Sequence, residues 1–175
     1  MRAKSALFRR YLTLLGLAIA MACAPGAPLA DEGFRVGPSG LPLPRFVSLR
    51  SDEVNVRTGP GPRYPVEWVF VRRHMPVEII EEFDTWRQVR DWQDTVGWIH
   101  QSMLSGRRTI IVTGEVQTLR REASSESPAV ARAEAGVVGR LSECEGDWCR
   151  VEIGGFEGWL ERDAFWGTRE DEEVD

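Results

Sequence analysis

The sequence contains two histidines and three cysteines in 175 residues, and its longest apolar stretch, Tyr11–Ala22, has 12 residues. That stretch is too short to span a bilayer as a helix, so the mature chain carries no integral membrane span. Catalysis by histidine requires a base beside a nucleophile with a third group orienting it. His74 and His100 lie in no such pattern, and no elbow motif frames a serine such as Ser102. The acidic groups Glu81-Glu82-Asp84 and Glu143/Glu145/Asp147 lack the spacing of a metal-binding loop and read as solvated hairpin turns. No metal and no cofactor is expected. A helical apolar stripe of convincing length is missing as well.

What is present begins with a leader. Arg2, Lys4, Arg9 and Arg10 precede the apolar stretch, and small residues and prolines follow it up to Leu29-Ala30. Residues 1–30 therefore read as a signal peptide, so the mature chain is expected to be exported. A lipid anchor through Cys23 is the alternative. Without residues 1–30, which carry four positive and no negative charges, the formal net charge moves from −5 to −9. A chain so acidic is unsuited to nucleic acid, whose phosphates reward clustered Lys and Arg. It is equally unsuited to electrostatic docking on an anionic membrane. Cys144 and Cys149 remain after export, which permits a structural disulfide between them. Four intervening residues rule out a CxxC redox motif, and two buried free thiols are the other reading.

Residues 31–45, with Pro38, Pro42 and Pro44, read as an extended lead-in of polyproline II character. Beyond it, short apolar runs at β spacing alternate with turn residues, and they occur twice. Val54-Asn55-Val56-Arg57 corresponds to Val116-Gln117-Thr118-Leu119-Arg120. Trp86-Arg87-Gln88-Val89 and Gly97-Trp98-Ile99 correspond to Trp148-Cys149-Arg150-Val151 and Gly158-Trp159-Leu160. The gap from Arg57 to Trp86 is 29 residues and that from Arg120 to Trp148 is 28. Two copies of one unit with a period of about 62 residues account for this. The fold class is all-β: two tandem small β-barrels at 46–112 and 113–168, followed by an acidic tail at 169–175 expected to be disordered. Within the first copy, Thr109–Val112 reads as its closing strand.

The first copy resembles the bacterial SH3 (SH3b) family. The resemblance rests on the opening Val54-Asn55-Val56-Arg57-Thr58-Gly59-Pro60 and on the ending Trp86/Val89/Gly97-Trp98-Ile99. It extends to Tyr64-Pro65-Val66-Glu67-Trp68 and His100-Gln101-Ser102-Met103-Leu104. The second copy keeps Leu119-Arg120 but has Arg121-Glu122 where Thr-Gly-Pro is expected, which leaves the shape of its loop open. The resemblance implies two SH3-like barrels, a periplasmic location and a non-catalytic binding role at the cell envelope, with peptidoglycan or a periplasmic protein as partner. A structural or regulatory protein-protein subunit is the alternative, and a small cell-wall hydrolase a weaker one. Trp68, Trp92 and Tyr64 lack counterparts in the second copy, so together with Trp98 they are the candidate ligand-binding residues. Trp86, Trp98, Trp148 and Trp159 recur at equivalent places, which favours a shared packing role. Arg57 and Arg120 are expected to hydrogen-bond to the loop that follows them.

Overall fold

The computed structural model describes residues 35–170 and 172–174; the expected signal peptide, its cleavage point and Cys23 lie outside the described residues. Two short strands, β1 (Arg35–Val36) and β2 (Pro42–Leu43), form a hairpin. The first barrel follows as β3 (Arg45–Leu49), β4 (Val54–Arg57), β5 (Val66–Phe70), β6 (Pro76–Phe83), β7 (Trp86–Arg90), β8 (Val96–His100) and β9 (Leu104–Ser105). The second is built from β10 (Thr109–Val112), β11 (Gln117–Arg120), β12 (Ala129–Ala133), β13 (Val138–Glu145), β14 (Trp148–Ile153), β15 (Phe156–Glu161) and β16 (Phe165–Trp166). A single 3-10 turn, Gln101–Met103 or Arg162–Ala164, precedes the last strand of each.

The strand orders are β5-β4-β8-β7-β6-β3-β9 and β12-β11-β15-β14-β13-β10-β16, so the second sheet repeats the first strand for strand. Alternation explains why these segments pair as they do: one face of each strand is apolar and closes over its own core. In the first barrel that core includes Val47, Leu49, Val56, Val77, Ile79, Val89 and Ile99. In the second it includes Ile110, Val112, Leu119, Leu141, Val151 and Leu160. The eight-residue strands β6 and β13 each carry a register shift, between Ile79 and Glu81 and between Leu141 and Glu143. Such a bulge bends and twists a strand. That lets one strand pair with a different neighbour on either side as the sheet curls. Cys144 and Cys149 face one another across β13 and β14 and form a disulfide.

Three expectations are corrected. Thr109–Val112 does not close the first barrel, because it pairs with β13 and β16 and opens the second. The place it was given belongs to Leu104–Ser105, which pairs with β3. The lead-in is a hairpin, not a polyproline segment: Leu43 is buried in the first core and Gly37 donates to the Leu41 carbonyl at 2.8 Å. The described part of the tail is docked. Val174 enters the second core, its carbonyl accepts from Cys144 N at 3.1 Å, and Glu172 pairs with Arg108 at 2.5 Å. One apolar side chain and one ion pair are enough to order a segment that composition alone marks as solvated.

Along β3, Val47 and Leu49 face inward, so Phe46 and Ser48 face out; along β10, Thr109 and Ile111 do the same. These outward faces are nevertheless buried, because the barrels meet there. Phe46 and Trp166 pack edge to face with ring centroids 4.8 Å apart. The junction is also tied by Arg72 donating to the Gly136 carbonyl and by Arg169 donating to the Pro44 carbonyl at 3.2 Å.

A fourth expectation, that Glu82 belongs to a solvated turn, is also corrected: it is buried in β6, where it fastens the lead-in hairpin to the first barrel. Its carboxylate accepts from Ser39 N at 2.8 Å, Ser39 Oγ at 2.7 Å and Arg45 at 2.7 Å, with Arg87 Nε 3.2 Å away. Burial by itself would raise the Glu82 carboxyl. The hydrogen bonds from Ser39 and Arg45 and the charge of Arg45 outweigh it and bring the pKa down to about 2, from 4.5. A folded-state pKa below the unfolded one stabilises the protein above the unfolded value, and the contribution is lost as pH falls toward 2. It is on the order of 2 kcal/mol once residual solvent screening is allowed for. Glu82→Gln should therefore lower stability at neutral pH by about that amount, and flatten the decline between about pH 5 and 2. Urea unfolding of both forms across that range checks this; parallel acid limbs would contradict it.

Candidate functional site

The candidate site lies on the outer face of the first barrel, at the end where β7 turns into β8. In β7 the buried positions are Arg87 and Val89, and in β8 they are Gly97 and Ile99. The intervening Trp86, Gln88, Val96, Trp98 and His100 therefore point away from the core. Trp148 and Trp159 occupy the same outward positions in the second barrel. All four repeated tryptophans are half-buried on the outside of the sheets, not in the cores. Trp86 packs edge-on against His100, with centroids 5.4 Å apart.

β8 meets β4 at one residue pair, Arg57 with Trp98, equivalent to Arg120 with Trp159. The approach is close. A Cβ on Gly97 would run into Val56 Cγ1 and stand 3.3 Å from the Arg57 carbonyl; one on Gly158 would stand 2.8 Å from the Arg120 carbonyl. Glycine is required because the strands cross here, not because the backbone needs a positive φ. Each barrel also shifts register at this arginine, and the freed side chain reaches into the following loop. Arg57 donates to the Tyr64 carbonyl at 2.7 Å and Arg120 to the Ser127 carbonyl at 2.8 Å, as expected.

The two loops keep one backbone plan despite their different sequences. Thr58 N bonds the Pro65 carbonyl as Arg121 N bonds that of Pro128, and Tyr64 N bonds that of Gly61 as Ser127 N bonds that of Ser124. The open question about the second loop is thereby answered. In the first loop the Tyr64 ring lies over Gly59, where a Cβ would stand 2.5 Å from it, and Arg63 sits 5.4 Å from the ring centroid. In the second, Glu122 takes the glycine's place, and buried Ser127 accepts from Glu122 N at 3.0 Å. Large-on-small has been exchanged for small-under-large.

Trp92 sits on the turn between β7 and β8, 38% exposed. The turn is braced by Asp91, which is buried and accepts from Gln93 N and Thr95 N, both at 2.9 Å. At the equivalent place the second barrel has the glycine pair Gly154-Gly155, with φ of 60° and 84°, so its turn itself carries no ring and exposed Phe156 only follows it, as the first residue of β15. Continuing β4 past Arg57 runs the 58–65 loop toward this same end of the sheet. Tyr64, Trp92 and Trp98 thus share one end, with half-exposed Val96 between the two tryptophans in sequence. No ring contact joins those three aromatics. Trp68 is separate: it packs against the core and lies edge-on to Phe70, centroids 6.3 Å apart.

Charge distinguishes the two faces. Where the first barrel has Gln88 beside Trp98, the second has Arg150, paired with Glu143 at 3.2 Å and Glu157 at 2.9 Å. The hydrogen bond to Glu143, then the charge of Glu157, raises the Arg150 pKa above its ordinary value. Ion pairs through Arg150 flank Trp159, whereas the residue beside Trp98 is the uncharged Gln88; the Arg90–Glu78 pair, at 2.6 Å, lies farther along the same strands, where Arg90 stands opposite Val96. His100 is engaged locally: its Nδ1 accepts from Ser102 N at 3.3 Å and stands 2.7 Å from Ser102 Oγ, capping the 3-10 turn. Among the described residues no group of three or more His, Cys, Asp or Glu could hold a metal ion. No helix among them is long and apolar enough to cross a membrane. A roomier cleft of about 620 Å³ lies beside Trp148, lined by Asp147, Glu161, Asp163 and Glu170. Its Arg162 is occupied with the carbonyls of Gly146, Arg169 and Glu172.

Residues 50–106 and 113–167 each match the family model of the bacterial SH3 domain. The chain belongs to that family. Both matches begin after the first strand of the barrel they cover, so each SH3 unit here is completed by a strand upstream of the family's opening motif. No curated protein matches the chain. Two similar solved structures are NlpC2 and NlpC1 from Trichomonas vaginalis, each 14% identical over 71% of this chain, with TM-scores of 0.34 and 0.33. The chain spans about half of each, 48% and 46%.

Gly97→Ala should cost about 2 kcal/mol or more, since an added methyl must displace a core valine and a paired strand. Gly106→Ala, whose new methyl would meet nothing within 4 Å, should change stability little. Chemical denaturation of the two variants side by side tests this; equal costs would refute the crossing argument.

Proposed function

We propose that this chain is a non-catalytic binding module of the bacterial cell envelope, and that its ligand is peptidoglycan or a periplasmic protein. The observation supporting this reading is the aromatic end of the first SH3 barrel, where Trp92 stands on a turn braced by Asp91 beside Trp98 and the Tyr64 loop. Aromatic rings supply large contact area at low entropy cost, and a pre-braced turn loses little freedom on binding. The second barrel has the same fold but replaces these features with a Gly-Gly turn and paired charges. One barrel therefore serves as recognition surface and the other as scaffold. Export is supported by the Cys144–Cys149 disulfide, because such bonds persist in oxidising compartments.

The test is co-sedimentation of residues 31–175 with purified sacculi, for the parent chain, Trp92→Ala and, as a control on the other barrel, Phe156→Ala. Saturable pelleting that drops about tenfold or more for Trp92→Ala alone supports a wall ligand on the first barrel. Pelleting unaffected by Trp92→Ala would remove that surface. An absence of pelleting at any salt concentration would exclude the wall and leave a periplasmic protein as ligand.

A further inference from the structure

Arginines gather where the barrels meet, and two of them have no partner among the described residues. A hollow of about 180 Å³ at the junction is lined by Arg73 and His74 from the β5–β6 turn, Arg107 from the linker, and Thr109 and Arg140 from the second barrel. A second hollow shares Arg107 and Arg140 and adds Glu152, the one carboxylate lining either. Glu152 pairs with Arg140 at 2.6 Å. The guanidinium groups of Arg73 and Arg107 have no partner among the described residues. On a chain with formal net charge −5, three arginines facing a single carboxylate form a local field of opposite sign to the whole.

Two polar atoms in this wall are also unsatisfied. Thr109 is 3% exposed, and its Oγ1 is buried with no hydrogen-bond partner among the described residues, as is His74 Nδ1. Thr109 lies on the outward face of β10, opposite the core residues Ile110 and Val112, so its hydroxyl faces the junction. A buried hydroxyl without a partner costs free energy that an acceptor in the hollow would recover. His74 is held at the rim with φ of 63°, its N–H donating to the Leu49 carbonyl at 2.9 Å. A positive φ in a non-glycine residue carries strain, and such strain concentrates at binding sites.

We propose that this junction hollow binds a phosphate group. Guanidinium forks match the oxygens of phosphate in pairs, the Thr109 hydroxyl supplies one further donor, and the volume suits one tetrahedral anion with its nearest water. Every donor comes from the junction, so the bound group would span the linker and both barrels. The site is independent of the aromatic end of the first barrel, and its loss would leave wall binding through Trp92 untouched.

Titration calorimetry of the full chain with inorganic phosphate, at constant ionic strength set by chloride, provides the test. The expected result is saturable one-to-one binding with a Kd of about 1 mM or tighter. The Arg73→Gln/Arg107→Gln double variant, which breaks no side-chain hydrogen bond or ion pair among the described residues, should weaken it about tenfold or more, and Thr109→Val several-fold. Glycerol phosphate serves as a second ligand. Binding as tight as that of inorganic phosphate identifies a phosphomonoester end group, whereas its exclusion identifies the free anion. Heat indistinguishable from the chloride control overturns the proposal, and so does phosphate binding unchanged in both variants.

Discussion

The close crossing of β4 and β8 is the constraint on which the rest of each barrel depends. Each sheet curls over its core with these two strands crossing nearly in contact, sharing one residue pair. Gly97 and Gly158 make room for that pair. With the backbones this close, Val56 and Ile99, like Leu119 and Leu160, meet across the core. The adjoining register shift then turns Arg57 and Arg120 away from the ladder and toward the loop carbonyls. Trp98 and Trp159 face outward because their glycine neighbours face inward. Core, loop anchor and outer aromatic therefore follow from one steric requirement, which is why Gly-Trp and the distant arginine recur together.

Much of this was legible in the sequence, with a characteristic error. Spacing of the Arg, Trp and Gly-Trp anchors established two copies and the length of the repeat, but a period carries no phase. Counting from Val54 assigned Thr109–Val112 to the end of the first copy, and left Arg45–Leu49 without a role as a strand. Pairing alone decides the matter, since Thr109–Val112 bonds to β13 and β16. The signal that could have decided it was the likeness of Phe46-Val47-Ser48-Leu49 to Thr109-Ile110-Ile111-Val112, two apolar runs standing before equivalent motifs. The tail was misread for a different reason. Composition weighs its acidic residues, whereas docking depends on Val174 and on Arg108, which is 64 residues from its partner Glu172.

The candidate site was legible as a set of residues but not as a surface. The absence of counterparts in the second copy pointed to Tyr64, Trp68 and Trp92 alike. Strand parity separates them: Trp68 turns toward the core, while Trp92 stands on a turn outside the ladder. Comparing the copies also shows what the loop requires. Tyr64 over Gly59 and Ser127 with Glu122 are alternative ways to complete one backbone plan, so the first loop's aromatic ring is not needed for the fold.

The junction obeys another logic. Within each barrel, charges are paired across strands or bonded to carbonyls: Glu82 with Arg45, Glu78 with Arg90, Arg150 with two glutamates. Where the barrels meet, apolar contact between Phe46 and Trp166 provides the adhesion, yet arginines line the gap beside it with little to neutralise them. Two copies of one barrel bring the same outward strand faces, β3 and β10, to their meeting place. Neither barrel alone assembles the cluster, because its members come from a turn of the first, from the linker and from the second. The two barrels share a strand order and equivalent core positions; what they do not share is the aromatic end of the first and the arginine-lined gap that only the pair encloses.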